Sequence, residues 1–250
     1  MNNILIWGLA AVCLCGCSVR EINTELIEYE YSVALEEGSA DSLNMTFSLE
    51  WPVKGLPPVA MENIRYYIKG TIFGKDMAGK DIRTAMEEFS AEETWMYRNS
   101  ANDFKVMMPA FDQNMRFSWE EETKGQFLEP YRNMQSYLIY NYTFTGGVHG
   151  MDSERGITFD LSNGNPVTEA DLFKRYYKPT LSKLLSARLK ESMSEEEYNM
   201  LFIKDISPNG NFIVDADGIT YIYGRYEIGP YVSGIVKVSV PWSEIKDILK

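Results

Sequence analysis

The sequence predicts an α+β fold, an antiparallel β-sheet or sheets with helices packed as blocks on one side. Two observations carry that prediction. Residues 28–35, 42–51, 115–122, 137–145, 156–161, 211–215, 218–224 and 234–240 read as strands, most of them alternating apolar and polar positions with period two. Helical patterns fall between them in groups, not one after each strand, so a regular βαβ succession is absent.

Residues 28–35 and 42–51 flank the turn-rich residues 36–41, which predicts an antiparallel hairpin. Pro57 and Pro58 open a helix whose apolar positions are Val59, Ile64, Tyr67 and Ile68. A second helix spans residues 81–98, striped by Ile82, Ala85, Met86, Phe89 and Met96. From Phe104 the strand signal returns, and Met115, Phe117 and Trp119 share one face of a strand expected to pair with residues 137–145. Another strand follows at 156–161 and ends in a turn over 162–166.

Thr168 and Asp171 have capping-box spacing on a short helix ending near Phe173. Pro179 precedes a longer helix with Leu181, Leu184, Leu185, Leu189 and Met193 turned inward, and residues 194–197 cap a further piece carrying Tyr198 and Leu201. Strands at 211–215 and 218–224 meet in a hairpin turn at 215–218. A last strand over 234–240 leads through Pro241 to a closing helix with Ile245, Ile248 and Leu249.

With 250 residues, 45% of them hydrophobic and 24% charged, the chain can bury one large core or two small ones. The formal charge of −12 repels phosphate backbones, so neither nucleic acid nor nucleotide is an expected partner, while a basic protein would be met faster. All three cysteines, at positions 13, 15 and 17, precede the folded part, which leaves that part without disulfide or thiol chemistry. Residues 4–14 form an apolar run short enough for a signal peptide and too short to span a bilayer. Leu14, Cys15 and Gly16 before Cys17 resemble a bacterial lipobox, which makes Cys17 the expected lipidation site and membrane anchor, residues 1–17 the leader and 18–27 a tether. The expected location is the cell envelope, outside the cytoplasm.

Three kinds of chemistry find no support. Gly74, Gly79 and Lys80 have phosphate-loop spacing, but Asp81 stands where a magnesium-binding hydroxyl is needed and suits a helix N-cap instead. The single histidine excludes the usual zinc ligand sets, and no nucleophile elbow is present. The 36 Asp and Glu residues could supply a carboxylate pair, yet nothing selects one, and the Glu runs at 120–122 and 195–197 read as solvated faces or helix starts. No catalytic, cofactor-binding or metal-binding residue is therefore assigned.

Two loops stand out. Gly146, Gly147, His149 and Gly150 follow the long strand at 137–145, where glycine opens backbone conformations closed to other residues. Tyr226, Pro230 and Tyr231 flank a rigid Gly229–Pro230 turn. His149 can hold the glycine turn through loop carbonyls or lie exposed and donate to a partner. The tyrosines can fill a sheet corner or anchor an interface.

The strand ending in Tyr142, Thr143, Phe144, Thr145, Gly146, Gly147, Val148, His149 and Gly150, the runs 158–164 and 171–173, and the run 218–231 leading to 238–241 resemble the C-terminal domain of the RsiV-like family. That likeness spans about residues 131–250, and residues 28–130 resemble the companion domain of PdaC-type peptidoglycan deacetylases, with the helix at 81–98 as a departure. The resemblance implies an extracytoplasmic α+β module without its own catalytic centre. In anti-sigma-factor members of that family the domain binds lysozyme; in the deacetylases it accompanies a separate zinc-dependent catalytic domain. Neither an anti-sigma segment nor that catalytic domain is recognised in this sequence. The expectation is a non-catalytic envelope lipoprotein that binds a lysozyme-like protein or peptidoglycan glycan. The alternatives are a carboxylate-dependent enzyme acting on envelope glycan, or a structural subunit of an envelope complex.

Overall fold

A computed structural model describes residues 22–107 and 117–250. The expected leader, Cys17 and the strand position of Met115 lie outside the described residues. Strands β1 (Asn23–Ala34) and β2 (Ser42–Lys54) form the expected antiparallel hairpin, closed by the Leu35 N–H donating to the Asp41 carbonyl at 2.9 Å. Alternation in β2 turns Leu43, Met45, Phe47, Leu49 and Trp51 inward, all less than one-tenth exposed.

Helix α1 (Pro58–Ile72) starts on Pro58 and buries Ala60, Met61, Ile64 and Ile68. Val59 is 71% exposed and Tyr67 37%, so the inward stripe begins one or two residues later than the sequence reading put it. Helix α2 (Ile82–Met107) is capped by Asp81, whose Oδ1 accepts the Arg83 N–H at 2.9 Å. Ala85 is buried, and from Met86 onward the buried positions Ser90, Thr94, Tyr97 and Ala101 recur every three or four residues. Tyr97 takes the place expected of Met96, which is 42% exposed. The helix also continues through Phe104, where a strand was expected, because residues 99–107 contain no glycine or proline to stop it.

Strands β3 (Trp119–Phe127), β4 (Met134–Phe144) and β5 (Met151–Asp160) form an antiparallel meander, including the expected pairing of β3 with β4. The five strands make one sheet in the order β1–β2–β3–β4–β5. It is antiparallel except where β3 lies parallel to β2, with Leu43 opposite Trp119. The two helices between these strands form the crossover that a parallel pair requires. Both helices pack on the face that carries Leu43, Phe47 and Trp51.

The other face of β4 and β5 receives a second, antiparallel sheet of β6 (Phe212–Val214), β7 (Gly218–Tyr223) and β8 (Val236–Pro241). The Ser136 hydroxyl stitches the two sheets, accepting from the Val214 N–H at 2.8 Å and donating to its carbonyl at 3.1 Å. Gly156 permits the close approach, since a Cβ there would sit 2.6 Å from the Phe212 carbonyl oxygen. The remaining helices are α3 (Glu169–Leu172), α4 (Lys178–Glu191), α5 (Glu195–Met200) and α6 (Trp242–Ile245). Both expected capping boxes form, Thr168 with Asp171 and Ser194 with Glu197. Leu181, Leu185 and Leu189 of α4 bury their side chains completely against β6, β7 and β8, each adding roughly 1.5–3 kcal/mol of burial. Among the described residues no helix is long and apolar enough to cross a membrane.

Candidate functional site

The β4–β5 connection turns on Gly146 (φ 97°) and Gly147 (φ 91°), both in the left-handed region that glycine adopts without a Cβ penalty. Beyond them Val148 is 99% exposed, His149 is exposed, and the buried Gly150 lies against the Tyr142 ring. The second loop leaves β7 through Arg225 and Tyr226 (φ 62°), and Pro230 leads into a single 3-10 turn over Tyr231–Ser233.

These loops, more than seventy residues apart in the chain, meet. The Tyr231 hydroxyl donates to the Gly150 carbonyl at 2.7 Å, and the His149 and Tyr231 rings stack with centroids 3.9 Å apart. The same carbonyl lies 3.1 Å from His149 Nδ1. Arg225 lies 4.2 Å from the Tyr231 ring centroid and donates from Nη1 to the Tyr231 carbonyl at 2.5 Å. Its Nε and Nη2 hold both carboxylate oxygens of Asp152, the second at 3.1 Å. Hydrogen bonding to Arg225 keeps the Asp152 carboxyl below its ordinary range, and the reciprocal bond raises Arg225.

Of the residues singled out in the sequence, His149, Gly150 and Tyr231 carry contacts across the gap, beside the Arg225–Asp152 pair. Gly146, Gly147 and Pro230 shape the loops, and Tyr226 leans on Tyr231 with ring centroids 5.9 Å apart. The outer surface of this tip presents Val148, Tyr226 and Val232, the last 73% exposed. Such a surface can bury apolar and aromatic area against a partner with little ordering cost, because buttressing contacts already fix the backbone.

A second feature lies under the helices. Moving across the helix-covered face from β2 to β5, the inward side chains change from Met45 and Phe47 to Glu121 and Thr123, then Asn141 and Thr143, then Ser153 and Arg155. Helices α1 and α2 leave this polar corner open as a cleft of about 730 Å³, roofed by Thr71, Ile72, Phe89 and Glu93. Glu121 is only 8% exposed and shares a hydrogen bond with Glu93. Burial first, and then the neighbouring Glu93, push the Glu121 carboxyl up to about 8, and burial raises Glu93 as well. The pair therefore holds a proton at neutral pH that isolated carboxyls would have lost. The Asn141 amide donates to the Thr123 hydroxyl at 3.0 Å along the floor.

Residues 170–243 match the family model described as "Protein of unknown function (DUF3298)". This match takes in the loop of Arg225, Tyr226 and Tyr231, while the glycine–histidine loop and the cleft lie outside it. The chain is similar in structure to a DUF3298 family member from Bacteroides fragilis NCTC 9343, with a TM-score of 0.82, 24% identity, and coverage of 93% of this chain and 95% of that one. A DUF3298 family protein from Pseudomonas aeruginosa PAO1 gives a TM-score of 0.64 at 13% identity, covering 93% and 96%. At these identities the likenesses show a shared fold. No curated protein matches the chain.

Sequence reasoning missed Arg225, Asp152 and the Glu93–Glu121 pair. Asp152 and Arg225 are opposite charges immediately beside the two loops singled out, which is a usable signal. Glu121 was read as part of a solvated run, whereas the alternation of Trp119, Glu121 and Thr123 turns it inward. Among the described residues no three His, Cys, Asp or Glu side chains converge as a metal site.

Proposed function

We propose that the protein is a non-catalytic binding module of the cell envelope that uses the two-loop tip to hold a lysozyme-like protein. The carrying observation is the stack of His149 on Tyr231, locked to Gly150 and backed by the Arg225–Asp152 pair, beneath exposed Val148, Tyr226 and Val232. The RsiV-like resemblance of residues 131–250 supplies the class of partner, and a chain carrying −12 would speed encounter with a basic protein. The lipobox-like residues before Cys17 support an anchored, extracytoplasmic location.

Calorimetric titration of the chain with lysozyme, at about 0.05 M and about 0.15 M salt, tests this reading. Saturable binding that survives the added salt and weakens in His149→Ala is the expected result. His149 is exposed, so that variant should melt close to the unaltered protein. Binding that vanishes with salt is charge attraction alone and sinks the proposal; no binding sinks it equally.

The Glu93–Glu121 pair favours a second reading, a carboxylate-dependent enzyme acting on envelope glycan. Two carboxyls sharing one hydrogen bond stand closer than the ~5–5.5 Å of a retaining glycosidase pair or the ~6.5–9.5 Å of an inverting one. That spacing counts in favour of the binding reading.

A further inference from the structure

The cleft under α1 and α2 has a continuation. A second cavity of about 520 Å³ is lined by Tyr67, Thr168, Glu169 and Tyr177, and it shares Thr71 and Arg155 with the first. Because Arg155 and Ile157 face the helices while Gly156 and Thr158 face the second sheet, the lining takes in both sides of edge strand β5, and the two cavities form one path that turns over this strand. Each cavity alone lies within the ~300–1,000 Å³ of small-ligand sites, so the path suits a chain of linked units.

Its chemistry is specific. Hydroxyl, amide and carboxyl groups of Thr123, Asn141, Thr143, Ser153 and the Glu93–Glu121 pair line the first part, with the Phe89 ring at its roof. Groups that both donate and accept, placed beside aromatic faces, match the hydroxyls and ring faces of sugars rather than a lipid or an apolar cofactor. Tyr67 and Tyr177 supply aromatic surface in the second part. Arg155 makes no ion pair among the described residues and is exposed where the two parts join. A cation at that point selects an anionic substituent, and guanidinium is suited to a carboxylate.

We propose that this path is a binding site for a carboxylate-bearing glycan chain, with Glu93, Glu121, Asn141 and Thr143 receiving sugar hydroxyls and Arg155 receiving the carboxylate. It is separate from the tip, and it stands or falls independently of lysozyme binding. The shared proton of the carboxyl pair lets one member donate and the other accept, which serves a sugar hydroxyl better than two anions would.

Calorimetric titration of the full chain with tetragalacturonate and with neutral chitotetraose, at about pH 6, is the test. Tetragalacturonate should bind at least about tenfold more tightly than chitotetraose. Arg155→Gln should abolish that preference, and Thr143→Val should weaken binding of both oligosaccharides by about fivefold. Thr143 is partly exposed and valine is close to it in shape, so that variant should keep the fold even if a change at buried Glu121 does not. No heat with either oligosaccharide at about 5 mM overturns the proposal, as does unaltered affinity in both variants. Equal affinity for the two oligosaccharides overturns the role of Arg155. A lysozyme titration of the same preparation reports on the tip alone.

Discussion

The Tyr231 hydroxyl and the Gly150 carbonyl, 81 positions apart, are joined by a 2.7 Å hydrogen bond. The bond ties a loop leaving the five-stranded sheet to a loop leaving the three-stranded sheet. Its surroundings make it more than a single contact, because Arg225 fixes the Tyr231 backbone and Asp152 fixes Arg225.

Asp152→Asn should therefore loosen the whole tip. Arg225 would remain four-fifths buried without its charge partner. The expected cost is about 1–2 kcal/mol after allowing for the solvent that reaches both side chains. In thermal melts that corresponds to roughly 2–4 °C for each kcal/mol. Because Arg225 lowers the Asp152 carboxyl, its contribution is present above the ordinary carboxylate value and is lost as pH falls through the lowered one. The variant should lack that part of the acid-side decline. Equal melting temperatures at neutral pH would show that the pair holds nothing.

Glu121→Gln should change the alkaline side. Its carboxyl is raised from 4.5 to about 8, so the unfolded chain releases this proton well before the folded one does. Stability from this source is complete below about 4.5 and is lost as pH rises through about 8. Glutamine has no proton to release, so urea unfolding should show a flatter decline for the variant between about pH 5 and about pH 8.5. Parallel pH curves for the two proteins would mean that Glu121 is ordinary in the folded state.

Gly156→Ala should force the sheets apart. The added Cβ would lie 2.6 Å from the Phe212 carbonyl oxygen and 2.7 Å from Ile213 Cγ2. Relief by separation would stretch the Gly156 N–H bond to the Asn211 side chain, now 2.9 Å. A loss of about 2–4 kcal/mol is expected, read from urea midpoints. A loss below about 1 kcal/mol would show that the small sheet rides loosely on the large one.

Most strands were legible because period-two alternation is a local signal, as in β2, where five apolar side chains point one way. Local chemistry also marked the capping boxes at Thr168 and Ser194. The parallel seam between β2 and β3 was not legible, since two helices intervene and nothing near Leu43 names Trp119 as its neighbour. The helical path through Phe104 was missed because aromatic and β-branched residues there outweighed the absence of any helix breaker. Both loops of the tip could be picked out singly, but their meeting depends on how two sheets stack. The Glu93–Glu121 pair was hidden because it depends on how a helix docks on the sheet, one partner lying on α2 and the other on β3.

The register of the large sheet also fixes which way the tip looks. Asn23 lies beside Lys54 at one end of the β1–β2 hairpin, whereas the end of β4 at Phe144 is level with Glu120, near the opposite, Ala34 end. About nine residues of extended strand, roughly 30 Å, separate the two levels. If the proposed anchor exists, a leash attached ahead of β1 would hold the molecule at the end opposite the tip and leave exposed Val148 and Val232 at the far end from the attachment.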